Sequence, residues 1–383
     1  MSLINKVRKD ENTIKAFFEL VRAGLWEKEA RLSQFGNIEY NAILQLAEEQ
    51  SVVGLVTAGL EHVVDTKVPQ EWVLQFIGET LQIEEQNKSM NTFIEQLISK
   101  LRMAEIYTLL VKGQGIAQCY ERPYWRSSGD VDLYLSKDNY NKAKAFLLPL
   151  ASYTEDEDKK KLHLGMTIDG WVVELHGTLY GSLSRRVNKG IEEAHRDVFY
   201  GGNVRSWLCG KTQVFLPGVD NDVIFVFTHI LQHYFGGGIG LRQICDWCRL
   251  LWTYRDKLDS KLLEHRIRKM GLTSEWKAFA ALAVNWLGMP LEAMPLYNEN
   301  ENQNEKYKKK AERIMTLILD AGNFGHGRDD SFKKKYPKVI AYLISFWIFT
   351  KYALIQFSIF PVAAIKGWGR ILRLGVKNKL KKR

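Results

Sequence analysis

The sequence predicts an α+β fold: a small mixed β-sheet core inserted between N-terminal and C-terminal helical regions. Three observations predict it. Apolar residues recur at helical spacing over about the first hundred positions. Short β-branched and aromatic runs bounded by glycine then appear. Helical spacing returns after Ser182. At 383 residues the chain exceeds one typical domain. The expected division is a helical region over 1–104, an α/β core over 105–215, a helical domain over 216–297, a linker and helix over 298–338, and an apolar aromatic helix with a basic tail over 339–383.

Taken in order, Ile14, Phe17, Phe18 and Val21 mark a first helix, Ile43, Leu44, Leu46 and Ala47 a second, and Trp72, Phe76, Ile77 and Leu81 a third, within a region of about four. Asn37 and Asn41 are candidate caps for the second, and Pro69 opens the third where proline is tolerated. Ile106 to Val111 reads as a buried strand ending in the turn Lys112-Gly113-Gln114-Gly115. A short helix over Ile116 to Tyr120 is broken by Arg122-Pro123; Asp130 to Leu135 is the next strand, and Lys137 to Leu148 is helical.

Side chains alternate across a strand, so Asp130 and Asp132 share one face and Val131, Leu133 and Leu135 the other. Two adjacent carboxylates repel unless a cation lies between them, and hard divalent ions favour such oxygens. Alone, the pattern is more often the polar face of an exposed edge strand.

Asp169-Gly170 between alternating segments is a strong hairpin signal. A two-residue loop would pair Ile168 with Trp171, Thr167 with Val172, Gly165 with Glu174 and His163 with His176. Leu164, Met166, Ile168, Trp171, Val173 and Leu175 then form a core face, and His163, Thr167, Glu174 and His176 a polar one. Gly165 should leave space beside Glu174. An ordinary hairpin with a polar outer face fits the alternation equally well.

After Leu216-Pro217-Gly218 come helical runs at Asp220 to Phe235, Leu241 to Trp252, Asp259 to Met270 and Thr273 to Leu287, with a glycine loop after the first. His229 and His233 share a helix face as metal ligands can, but polar helix packing is the better reading. Asn298 to Lys310 reads as a charged linker. The four cysteines are too few and uneven for a disulfide framework or zinc tetrad, and Cys245-x-x-Cys248 lies in an apolar helical run that argues for core packing.

The net charge of +10 is uneven, because eight basic residues and no acid lie between Lys366 and Arg383 and the remainder carries only +2. That argues against a body-wide nucleic-acid surface, and no sequence-specific nucleic acid is expected. Val339 to Ile365 is apolar and aromatic but divided by Lys351 into runs too short to span a bilayer. With Trp368 to Arg383 it reads either as an interfacial anchor drawn to anionic lipid or as a core helix with a frayed basic end. No signal-peptide h-region opens the chain, so a cytoplasmic location, peripheral at the inner membrane surface if the anchor holds, is the expectation.

Leu110-Val111-Lys112-Gly113, Arg126-Ser127-Ser128-Gly129-Asp130-Val131-Asp132-Leu133 and Val173-Glu174-Leu175-His176 resemble the uncharacterised bacterial nucleotidyltransferase-like family of the DNA polymerase β superfamily, whose members read L-K-G, R-x-x-G-D-x-D and acid-L-H. His229 to His233 and Leu241 to Leu251 match that family too, so the resemblance runs from about Glu39 to Pro290. It implies a metal site of Asp130, Asp132 and Glu174 holding Mg²⁺ or Mn²⁺ with a nucleoside triphosphate as substrate. Glu174 would share a second metal or accept the proton of the attacking hydroxyl. Phosphate would be held at Gly113, Gly115, Ser128 and Gly129, with Lys112 and Arg126 neutralising its charge. His163 and His176 are accessory candidates. The implied function is NMP transfer to a hydroxyl of a small molecule or protein, the acceptor and oligomeric state being open. A non-catalytic nucleotide-binding or membrane-associated scaffold and a D-x-D nucleotide-sugar glycosyltransferase are the alternatives.

Overall fold

The computed structural model describes residues 10–236, 238–323, 336–361 and 364. Four helices come first: α1 (Glu11–Trp26), α2 (Tyr40–Glu49), α3 (Val53–Glu61) and α4 (Gln70–Met103). Asp10 caps α1 by accepting from the N–H groups of Asn12 and Thr13. Neither Asn37 nor Asn41 caps α2; Glu39 holds that position without a side-chain cap, its own N–H donating to Thr13 Oγ1 at 3.3 Å. With 34 residues, α4 is about 50 Å long.

Seven strands form one mixed sheet: β1 (Leu109–Val111), β2 (Asp130–Tyr134), β3 (Tyr153–Thr154), β4 (His163–Ile168), β5 (Trp171–His176), β6 (Val204–Cys209) and β7 (Thr212–Pro217). Their order is β3-β4-β5-β2-β1-β7-β6. At its centre β2 runs parallel to β5 and antiparallel to β1, and β1 runs parallel to β7. The β4–β5 hairpin turns at Asp169 (φ 50°) and Gly170 (φ 83°), the positive dihedrals of the tight turn that aspartate and glycine favour. All four expected pairs form, with His163 opposite His176 and Gly165 opposite Glu174.

One face of the sheet is dry. Leu110, Val131, Leu133, Leu164, Val173 and Leu175 pack there against Ile94, Leu97 and Ile98 of α4 and against Tyr140 and Leu147 of α6 (Lys137–Leu147). Each such side chain contributes about 1.5–3 kcal/mol relative to exposure. On the opposite face Leu109, Val111 and Tyr134 join the larger core built by the helical regions.

The hairpin of β6 and β7 corrects the expectation that the chain is helical throughout after Ser182. Helix α7 (Arg185–Phe199) does follow, but β7 then returns to the sheet beside β1. The β6 strand alternates between exposed and half-buried positions up to Cys209, so its hydrophobic signal is weak. Next come α8 (Val219–Gly236), α9 (Leu241–Thr253), α10 (Ser260–Met270) and α11 (Thr273–Leu287). The segment expected to be a linker holds α12 (Glu299–Gln303), closed by a capping box between Asn298 and Glu301, and the start of α13 (Glu305–Ala321).

Helix α14 (Lys338–Ile359) packs its later turns on the core through Tyr352, Ile355 and Ile359 and leaves Leu343, Trp347 and Leu354 exposed. Among the described residues no helix is long and apolar enough to cross a membrane. The basic tail from Trp368 to Arg383 lies outside the described residues.

Candidate active site

The polar face is organised by register. Asp132 sits beside Glu174 on the neighbouring parallel strand, and Asp130 lies two residues earlier on the same side. Oxygens of Asp130, Asp132 and Glu174 all lie within 4.8 Å of one another. The crowding is felt most at Asp130, whose carboxyl is pushed up to about 6 by the charge of Asp132 and then by burial.

Two basic side chains hold Asp132. Val111 is its register partner, so a regular strand would send Lys112 to the other face. Instead Lys112 adopts φ 57° and Gly113 φ 39°, and the lysine Nζ donates to Asp132 Oδ1 at 2.7 Å. On the other side His176 Nε2 lies 2.6 Å from the same oxygen. Burial opposes both the Asp132 carboxylate and its partners' charges. The Lys112 and His176 contacts nonetheless keep Asp132 below the usual carboxylate range. Burial would likewise lower Lys112 and His176, yet the surrounding carboxylates hold both above their ordinary values.

Glu174 is gripped by both accessory histidines. His163 Nε2 lies 3.2 Å and His176 Nε2 3.3 Å from its Oε2. These contacts, His163 first, hold Glu174 well below the usual range. The space expected beside Glu174 at Gly165 is taken, since a Cβ there would meet Glu155 Oε2 at 2.8 Å.

Other expected site residues have different employments. Gly113 to Ala117 is already a short helix, α5, three residues earlier than its sequence suggested. Gly115 is packed against β7: a Cβ would lie 2.8 Å from Leu216 Cδ2. Arg126 makes a buried two-pronged pair with Asp246 of α9, Nε and Nη2 each donating at 2.7 Å, so its charge is not free for phosphate. Its Nη1 donates to Ser128 Oγ at 2.7 Å, and this fixes the loop that enters Asp130. Gly129, within that loop, has open space where a Cβ would stand.

The helical half supplies residues that sequence reasoning did not place here. Arg242 Nη1 donates to Ser127 O at 2.6 Å, while its buried Nε has no hydrogen-bond partner. Burial and the nearby Arg126 guanidinium lower its pKa. Tyr120 donates to Asp246 Oδ1 at 2.8 Å. Arg242 and Asp246 stand four residues apart in a mostly apolar helix, a spacing visible in the sequence. His229 and His233 on α8 face each other, Nε2 to Nε2, at 2.9 Å. Burial, then the charge of Lys112, lowers both, His233 to about 4.

The carboxylate set is all oxygen, closely spaced and only partly neutralised by Lys112 and His176, and so fits a hard divalent ion. Comparison with curated proteins and with solved structures gave no match. A family model for uncharacterised nucleotidyltransferases matches residues 36–288, more than half of the chain and all of the site just described. The chain therefore belongs to the uncharacterised nucleotidyltransferase family.

Proposed function

We propose that this chain is a divalent-metal-dependent nucleotidyltransferase of the DNA polymerase β type that moves an NMP group from an NTP to a hydroxyl of a small molecule or protein. The observation that carries this reading is the convergence of Asp130, Asp132 and Glu174 oxygens within 4.8 Å. Asp130 and Asp132 would hold Mg²⁺ or Mn²⁺, which when bound neutralises the triphosphate. In the transfer, the acceptor oxygen bonds to the α-phosphorus, the α–β bridging bond breaks, and pyrophosphate leaves. Glu174 would share a second metal or accept the proton of the attacking hydroxyl. Lys112, at the mouth of the strained turn, and Arg242, with its unpartnered Nε, supply positive charge to offset that building on the phosphates.

Isothermal titration of the full chain with ATP, CTP, GTP and UTP in Mg²⁺ tests the binding step. One nucleotide should bind, and binding should vanish when Asp130→Ala and Asp132→Ala are combined. No binding of any nucleotide would sink the reading. Transfer of α-phosphate label into a lysate component separates an enzyme from a scaffold of the same fold. We also place the chain in the cytoplasm with a peripheral membrane contact through 339–383, supported by the exposed Leu343, Trp347 and Leu354 of α14. Equal liposome flotation with and without residues 366–383 would remove the basic tail from that contact.

A further inference from the structure

Beside the three carboxylates lies a second donor set of different chemistry. His163 and His176 are opposite one another on β4 and β5, and their rings are 4.8 Å apart, centroid to centroid. His163 Nε2 is hydrogen-bonded to Glu174 Oε2 at 3.2 Å, and His176 Nε2 lies 3.3 Å from the same oxygen. For an ion bound at about 2.0–2.1 Å, neighbouring ligands of a tetrahedron stand roughly 3.3–3.4 Å apart; the two separations to Glu174 are close to such edges, and all three donor atoms lie within 4.8 Å of one another. His176 Nε2 has its hydrogen bond to Asp132 Oδ1, at 2.6 Å, so an ion taken there displaces that proton and leaves Asp132 to Lys112. Imidazole nitrogen is a poor ligand for Mg²⁺ and a good one for Zn²⁺ and its neighbours.

We propose that His163, His176 and Glu174 form a second metal centre, selective for an ion of the Zn²⁺ class and sharing Glu174 with the all-oxygen centre. Three protein ligands leave a fourth position open, the arrangement of a centre that takes water or a substrate oxygen rather than a purely structural one. The shared carboxylate would couple the two centres, one taking a hard ion and the other a softer one. This centre stands on its own ligand geometry and does not require that the chain transfer nucleotides.

The test uses Co²⁺ alone as a spectroscopic stand-in for Zn²⁺, added to the chelator-treated full chain. One equivalent should give the intense visible bands of tetrahedral cobalt, abolished by Zn²⁺ but not by excess Mg²⁺. In His163→Gln the amide can still donate to Glu174 while the ligand nitrogen is gone. Cobalt affinity should fall at least about 100-fold with an unchanged melting temperature. A merely structural histidine would be rescued by glutamine, and unchanged cobalt binding in His163→Gln would overturn the proposal. Asp130→Asn should keep the cobalt bands while losing Mg²⁺-nucleotide binding, so the two centres fail separately. In the unaltered chain, Zn²⁺ should shield His163 from carbethoxylation as read by peptide mass spectrometry. Absence of both the cobalt bands and this shielding would also overturn it, whatever the nucleotide titrations give.

Discussion

Along β2 the residues run Asp130, Val131, Asp132, Leu133, and each step crosses from one face of the sheet to the other. Val131 and Leu133 enter a dry layer under α4 and α6, where any apolar group of fitting volume would serve. Asp132 is equally buried, at 2% exposed, but is held by Lys112 and His176 through directed contacts. The difference lies in what substitution leaves behind. On the dry face it leaves a cavity; on the polar face it leaves Lys112 and His176 without the carboxylate that held them.

The comparison can be broken most sharply at Asp132. In Asp132→Ala we expect nucleotide affinity to fall at least about 100-fold, with a loss of roughly 3–5 kcal/mol in denaturant melts from the stranded Lys112 and His176. Across the strand, Leu133→Ala should cost about 2–5 kcal/mol of stability while leaving nucleotide affinity of the folded chain unchanged. An affinity loss in Leu133→Ala matching that of Asp132→Ala would mean the faces are not separable.

A smaller effect should come from pH. His233 is lowered to about 4 by burial and then by Lys112, while an unfolded histidine titrates near 6.5. A depressed folded value means stability is present above about pH 6.5 and is lost as pH falls toward 4, because the unfolded chain takes up the proton first. The unaltered chain should therefore lose on the order of 1–3 kcal/mol more than His233→Gln between pH 7 and pH 4.5. Parallel acid-limb melting curves for the two would remove His233 from the account. Smallest of all, Gly165→Ala presses only on the end of the exposed Glu155 side chain and should cost less than about 1 kcal/mol in thermal melts.

Much of the site could be read from the sequence because its parts are local. Asp169-Gly170 sets a two-residue turn, and the turn sets six cross-strand pairs, including Gly165 with Glu174. What sequence reasoning lacked was the contribution of distant segments. Arg126 looks like a phosphate ligand until Asp246, 120 residues away, is seen to hold it. The space at Gly165 looks open until Glu155 is seen to occupy it. The β6 strand, half-exposed at the sheet's edge, needs little hydrophobic contrast, and β7 beside it ends in Leu216-Pro217, which reads as a turn.

Asn87, on α4, reaches across to the connection between β1 and β2. Its Nδ2 donates to Tyr124 O at 2.7 Å and to Arg126 O at 2.8 Å, and its Oδ1 accepts from Gln114 Nε2 at 2.6 Å. One amide thus staples the turn after β1 to the loop before β2, and the same helix roofs the dry layer through Ile94 and Leu97. Helix α4 is therefore a structural part of the site. A fragment starting at residue 105 would keep Asp130, Asp132 and Glu174 in its sequence yet lose both roof and staple, so the smallest unit that keeps the site intact has to include α4.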